Sequence, residues 1–254
     1  MPFDAVKRLR ERAAFYLGFF AGGIWLLVCS IVGLLALLLS AGNRHMVFLF
    51  ARVFCGGVAR MMGWRIEVTP RQRLEDSGPC VFVANHQSIM DILTFGAIVP
   101  RRTVAVGKKE IGAIPLFGWF FRASGNLVID RGNSEDARRM LAAAARRLNQ
   151  ERISVWFMPE GHRNKGEELL PFKTGAFRLA AAAGVPIMPV VSAPITAIVD
   201  TRRRLARPGV LRMTVLEPVS AVGANEEEIA ALAGSVRGTM QRELDVLVGK
   251  GSPR

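Results

Sequence analysis

Hydrophobic and polar positions follow two different patterns along this chain, and the change falls near residue 65. From Ala13 to Ala41 there are 29 consecutive residues without a charged side chain. At about 1.5 Å per residue, a helix of that length exceeds a hydrocarbon layer of roughly 30 Å. It is also too long for the core of a cleavable signal peptide, which runs to about 7–15 residues. The turn-like Ser40-Ala41-Gly42-Asn43 follows, and then a second apolar stretch, Met46 to Trp64, which is amphipathic and carries Arg52 and Arg60. Two arrangements satisfy this pattern: a single span that puts the remainder across the membrane, or a helical hairpin that enters and returns on one face. The basic residues before and after, with Lys7, Arg8, Arg10 and Arg12 leading, favour the hairpin with both ends cytoplasmic. A pair of buried core helices is the plainer alternative.

From residue 78 apolar residues arrive in short bursts separated by segments of helical period. Strands are expected at 80–84, 102–106, 126–130, 153–158, 186–192 and 210–216, and helices near 88–98, 112–122, 134–149, 174–183 and 225–248. This alternation predicts an α/β fold, a mostly parallel layered sheet flanked by helices, with an N-terminal membrane-associated helical hairpin. The expected division is 1–64 for the hairpin and 65–254 for the α/β domain. Asn133-Ser134-Glu135-Asp136 carries helix-start chemistry, and the tail from Gly249 to Arg254 reads as frayed.

Composition narrows the partners. Hydrophobic residues make up 50% of the chain, with the excess before residue 65, and 34 Lys and Arg against 21 Asp and Glu give a net charge of +13. That balance suits an anionic partner. The chain has no helix-turn-helix signal and no aromatic-interleaved basic patch, so the apolar N-terminus favours anionic membrane lipids and no nucleic acid. Cys29, Cys55 and Cys80 are odd in number and lie in apolar runs without metal-ligand spacing. They read as buried hydrophobes in a reducing compartment, and no metal site is expected.

The densest candidate chemistry lies in Cys80-Val81-Phe82-Val83-Ala84-Asn85-His86-Gln87-Ser88-Ile89-Met90-Asp91. An apolar strand ends there in polar side chains just before a helix, the edge at which open α/β sheets bind ligands. Two readings are open. Ser88 and Asp91 match a capping box, in which hydroxyl and carboxylate satisfy backbone donors. Capping leaves His86 unexplained, a side chain whose ordinary pKa near 6.5 suits it to take a proton. Asp91, if it reaches the ring, would hold the tautomer and stabilise the imidazolium.

Asn85-His86-Gln87-Ser88-Ile89-Met90-Asp91 resembles the first motif of the glycerolipid acyltransferases, an asparagine and histidine followed by four residues and an aspartate. Gly125-Asn126-Leu127-Val128-Ile129-Asp130-Arg131 resembles the second motif, Phe157-Met158-Pro159-Glu160-Gly161-His162-Arg163 the third, and Val185-Pro186-Ile187-Met188-Pro189-Val190 the fourth. Val106-Gly107-Lys108-Lys109-Glu110 and Leu170-Pro171-Phe172-Lys173-Thr174-Gly175-Ala176-Phe177 are similar to the bacterial 1-acyl-glycerol-3-phosphate acyltransferase branch, and the resemblance spans roughly residues 65 to 220. The third motif departs from the family pattern, with His162 and Asn164 where a threonine and a serine are usual.

The resemblance implies acyl transfer from coenzyme A or acyl carrier protein to the free hydroxyl of lysophosphatidate, with no cofactor beyond the donor substrate. His86 would be the base and Asp91 its partner, with backbone donors near the helix start holding the oxyanion. Arg131 and Arg163 would bind phosphate through the guanidinium fork, Lys108 would be a second phosphate contact, and Glu160 and Gly161 would shape the acceptor site. The catalytic domain would face the cytoplasm at the inner membrane. The departures at His162 and Asn164 keep other lysolipids and amine-bearing acceptors open. A lipid hydrolase using Ser88 would want a Gly-x-Ser-x-Gly elbow, which is missing here, and a non-catalytic scaffold would not need His86 with Asp91.

Overall fold

A computed structural model describes residues 2–39, 47–130, 132, 134–164 and 168–250. The expected turn at residues 40–43, the cap position Asn133, Arg131 and the tail beyond Lys250 lie outside the described residues. In chain order the elements are α1 (Pro2–Leu39), α2 (Val47–Met61), β1 (Trp64–Thr69), α3 (Arg71–Glu75), β2 (Val81–Ala84), α4 (Asp91–Ile98) and β3 (Thr103–Lys108). A 3-10 turn (Lys109–Ala113) leads to α5 (Phe117–Ala123), β4 (Leu127–Ile129), α6 (Ser134–Gln150), β5 (Ser154–Phe157), α7 (Gly175–Ala183) and β6 (Ile187–Ser192). A small hairpin, β7 (Val199–Asp200) and β8 (Leu205–Ala206), precedes β9 (Gly209–Val215) and α8 (Glu226–Leu247).

The main sheet has seven strands in the order β1-β9-β6-β2-β5-β3-β4. From β6 to β4 all neighbours are parallel, while β9 runs antiparallel to β6 and carries β1 parallel to itself. All five strands of the parallel body were expected from the sequence. The edge strand β1 was not, because Trp-Arg-Ile-Glu-Val-Thr continues the preceding amphipathic stretch without a break in pattern. The expected helix at 112–122 is split into the 3-10 turn and α5, because Pro115 interrupts it and Leu116 takes a positive φ of 60°.

Side chains that alternate along the central strands feed two cores, one on each face of the sheet. On β2, Phe82 and Ala84 face one core and Val81 and Val83 the other; on β5, Trp156 and Val155 divide the same way. The first core is completed by α2, α4 and the inner side of α1, through Phe54, Val58, Phe95 and Phe15. Phe82 stacks on Trp156 at 4.9 Å between ring centroids. The second core is closed by α6, α7 and α8 through Leu148, Phe177, Met240 and Leu244.

Packing thus crosses the expected boundary at residues 64 and 65, since α2 belongs to the core of the α/β body. Glycines let α1 and α2 approach closely: a Cβ at Gly18 would meet Met62, at Gly22 Val58, and at Gly33 Phe50. Rising numbers on α1 face falling numbers on α2, so the two helices are antiparallel. The helix also touches the body at two further points, where Arg204 donates to the Tyr16 hydroxyl at 3.1 Å and Gly33 lies against Phe120. The opposite side of α1 remains exposed and apolar, with Leu17, Phe20, Leu27 and Leu38 among its residues.

Asn225 caps α8: its side chain accepts from the Glu227 and Glu228 N–H groups, and Glu228 returns a bond to the Asn225 N–H. Asn225→Ala is expected to cost about 1 kcal/mol. In thermal unfolding of the detergent-solubilised protein that corresponds to a Tm lower by roughly 2–4 °C.

Candidate active site

The polar residues at the end of β2 are held in place by bonds from its two neighbouring strands and the loops that follow them. Asn85 Nδ2 donates to the Ser192 carbonyl at 2.9 Å and Asn85 Oδ1 accepts the Ser192 N–H at 2.8 Å, so a buried amide ties the end of β2 to the end of β6. The next peptide is gripped from the loop after β5. His86 N–H donates to Glu160 Oε1 at 2.7 Å, and the His86 carbonyl accepts the Asn164 N–H at 2.7 Å. Glu160 is buried, and its other oxygen accepts the Leu170 N–H at 3.0 Å. Glu160 therefore braces the His86 backbone from behind.

Asp91 opens α4 and points back at the loop. Its Oδ2 lies 3.0 Å from His86 Nδ1 and accepts the N–H groups of Gln87 at 2.6 Å and Ser88 at 2.8 Å. Both readings of this carboxylate are thus realised at one oxygen. The capping function differs from the expected box, because the Ser88 hydroxyl accepts from Met90 N–H at 3.2 Å and the N-cap of α4 is Met90 without a side-chain bond. An oxygen that already accepts two backbone N–H groups has no room for a proton of its own. The network assigns the proton to His86 Nδ1 and leaves the lone pair on Nε2.

His86 lines a cleft of about 1460 Å³ at the C-terminal edge of the parallel strands. Its apolar lining comes from Phe50 and Phe54 of α2, Ile89 and Ile92, and Phe117 and Phe121 of α5. Its cationic lining comes from Lys108 at the end of β3, Arg163 after β5 and Lys173 before α7. His162 lines the same part of the wall and is exposed. Gly161 takes φ +73°, a conformation glycine adopts without strain, and a Cβ there would meet Lys173 Cε at 2.8 Å. The glycine thereby lets the Lys173 side chain cross the loop.

Of the sequence-predicted site residues, His86, Lys108, Gly161 and Arg163 line one cleft, Asp91 sits directly behind His86, and Glu160 supports it from the side. Arg131 is outside the described residues. Lys109 points elsewhere, in an ion pair with Asp130 at 2.7 Å whose hydrogen bond lowers the Asp130 pKa. Sequence reasoning missed the Asn85–Ser192 clasp and the Asn164 contact, both of which join residues far apart in the chain. It also missed Arg202, which reaches the cleft from the turn between β7 and β8.

Residues 65–193 match the family model described as Acyltransferase. Over 219 residues the chain is 37% identical to the 1-acyl-sn-glycerol-3-phosphate acyltransferase of Salmonella typhimurium, covering 86% of this chain and 88% of that protein. The chain belongs to the acyltransferase family. It is also 33% identical, over 84% of its length and 77% of the relative's, to the human 1-acyl-sn-glycerol-3-phosphate acyltransferase beta. The crystal structure of a 1-acyl-sn-glycerophosphate (LPA) acyltransferase from Thermotoga maritima superposes with a TM-score of 0.80 at 23% identity, covering 97% of this chain and 100% of that one. That likeness extends the shared fold to the N-terminal helices of the acyltransferase.

Burial raises the Glu160 pKa above its ordinary 4.5, against the opposing bonds from Leu170 and His86 N–H. A carboxyl raised on folding contributes stability that is present below its unfolded value and lost as pH rises through its folded value. Wild-type stability relative to Glu160→Gln, which does not titrate, is therefore expected to fall as pH rises above about 4.5. The substitution also turns one acceptor into a donor facing a backbone N–H, at a cost of about 1–3 kcal/mol. Thermal unfolding of both proteins across the acid range checks the sign; a difference that grows with pH contradicts it.

Proposed function

We propose that this acyltransferase moves a fatty acyl group from an acyl thioester to the free hydroxyl of 1-acyl-glycerol-3-phosphate, making phosphatidate for phospholipid synthesis. The observation that carries the reading is the His86–Asp91 pair set in a cleft lined by both phenylalanine and basic side chains. A lysophosphatidate has the same polarity: its chain fits the phenylalanine-lined end and its phosphate the end with Lys108, Arg163 and Lys173. Thr174 and Gly175, at the N-terminal end of α7, open on the cleft and add the helix's positive end to it.

In this reaction His86 Nε2 takes the hydroxyl proton as the oxygen attacks the thioester carbonyl. Asp91 stabilises the imidazolium through the Nδ1 bond. Collapse of the tetrahedral adduct breaks the C–S bond, and the imidazolium returns its proton to the departing thiolate. The Gln87 and Ser88 N–H groups, expected to serve the oxyanion, are bonded to Asp91. The Ile89 N–H has no partner among the described residues, and Ile89 lines the cleft, so we assign the developing oxyanion to that donor. Ser88 has no bond to His86 among the described residues, and its hydroxyl accepts the Met90 N–H, which favours a turn role over that of a hydrolase nucleophile.

A bilayer-borne acceptor explains the N-terminal helices. The described part of α1, Asp4–Leu39, is long and apolar enough to cross a membrane by length and composition. Its contacts with the body at Tyr16 and at Gly33 favour a helix lying along the body with its apolar side in one leaflet. The apolar end of the cleft opens between Ile89, Ile92 and Ile114, all exposed, where a lipid tail could enter from that leaflet. We place the protein at the inner membrane with its catalytic body in the cytoplasm.

His86→Ala is expected to lower kcat about 10²–10⁴-fold while leaving the Tm near that of wild type. Arg163→Ala in the same assay is expected to raise KM for lysophosphatidate more than KM for the thioester. Near wild-type turnover without His86 rules out this mechanism. For topology, cysteines introduced at Ala5 and at the exposed Gly234 should both resist a membrane-impermeant thiol reagent in intact cells. Labelling at position 234 alone is the result a single span predicts.

A further inference from the structure

A second concavity lies beside the catalytic cleft, and the acceptor and its chain make no use of it. It measures about 810 Å³ and is formed between the first turns of α1 and the segment Thr196–Arg207. Seven basic side chains line it against three carboxylates, Asp4, Glu11 and Asp200, a surplus of four positive charges. The cations come from two sides, Lys7, Arg8 and Arg12 from α1, and Arg202, Arg203 and Arg204 from the turn between β7 and β8.

The turn is built at a cost. Three consecutive arginines repel one another, and Arg204 takes a φ of +57°, a left-handed conformation unfavourable for a residue with a Cβ. Asp200 is largely committed to the turn itself, where its Oδ1 accepts the N–H groups of Arg202 and Arg203 at 2.9 Å, and Arg203 approaches its other oxygen only to 3.8 Å. The charge is therefore left for an outside anion. Thr196, Asp200 and Arg202 line both concavities, so the basic groove opens into the catalytic cleft.

We infer that this groove holds the phosphate-bearing nucleotide end of a coenzyme A thioester while the thioester carbon reaches His86 past Arg202. The inference rests on the proposed transferase reaction and names where its donor sits. In that reading the acceptor fills the cleft beside His86, so the donor's carrier needs separate space. A groove of this volume lies in the range of small-molecule sites, about 300–1,000 Å³. A phosphate monoester alone carries about −1.5 to −2 charges near neutral pH, and the diphosphate adds more, matching the sign and size of the surplus.

The test uses the full chain, with coenzyme A binding and turnover measured in detergent and vesicle flotation measured alongside. Isothermal titration with free coenzyme A at low salt is expected to show saturable binding that weakens about tenfold in Arg8→Ala/Arg203→Ala, and that returns largely in Arg8→Lys/Arg203→Lys. Neither position lines the catalytic cleft. In turnover with lysophosphatidate, the alanine pair should raise KM for a long-chain acyl-CoA about tenfold. It should move KM for an uncharged N-acetylcysteamine thioester of the same chain less than twofold. Equal coenzyme A binding by wild type and the alanine pair overturns the inference, as does an equal rise in KM for both donors. Loss of flotation with phosphatidylglycerol vesicles, with coenzyme A binding intact, assigns the groove to lipid headgroups instead; loss of turnover with acyl carrier protein alone assigns it to that protein. Coenzyme A binding without any acyl transfer by wild type would leave the groove assigned and the proposed reaction refuted.

Discussion

One carboxylate oxygen sets the geometry of the site. Asp91 Oδ2 gathers the His86 ring and two backbone N–H groups within 3.0 Å, so a single buried carboxylate fixes the entry into α4, the course of the loop and the tautomer of the imidazole. Such an oxygen is costly to bury unless every lone pair is engaged, and here the donors engage it. The same economy recurs one shell out. Glu160, also buried, spends both oxygens on backbone N–H groups and so prevents the His86 peptide from turning away from the cleft. An imidazole positioned through its backbone, its ring and the strand before it has little orientational freedom left to lose.

The cleft acquires its polarity from the layers that build it. Its apolar wall comes from α2 and α5, helices whose aromatic side chains, Phe50 and Phe120, touch at 3.8 Å between ring centroids. Its cationic wall comes from loops at the C-terminal ends of β3 and β5, where backbone amides and flexible basic side chains are naturally exposed. An amphiphile is thus matched by an ordinary property of α/β architecture, helices supplying the oil and strand ends the charge.

Much of this was legible in the sequence because its determinants are local. The strand ending at Ala84, the polar cluster and the helix start at Asp91 lie within a dozen residues, and each has its own signature in period or cap chemistry. The first and third motifs placed His86, Gly161 and Arg163, and the separate block Val106–Glu110 placed Lys108, in order along strand ends, which a parallel sheet gathers on one edge. What escaped was non-local. Nothing near Asn85 in the chain indicates that its amide closes on Ser192, and nothing near Glu160 indicates that it braces a histidine 74 residues away. Edge strand β1 escaped for a different reason: it is only partly buried and pairs with β9, far along the chain, so no local alternation announces it.

The sequence also suggested a membrane hairpin set apart from an enzyme, and the packing joins them. Helix α2 contributes Phe54, Cys55 and Val58 to the first core, so it cannot move without opening that core. Its Arg52 reaches the other end of the catalytic helix, where Nε donates to the Val99 carbonyl at 2.8 Å and Nη2 to the Ile98 carbonyl at 3.5 Å. These are the carbonyls that a helix C-terminus leaves without partners, and a guanidinium there also meets the negative end of the helix. Helix α4 is therefore held at its start by the Asp91 network and at its finish by a cation from α2. A force on the N-terminal helices reaches His86 through one short rigid element of eight residues. The N-terminal helices and the His86 loop of this acyltransferase thus share a single mechanical unit, joined through both ends of α4.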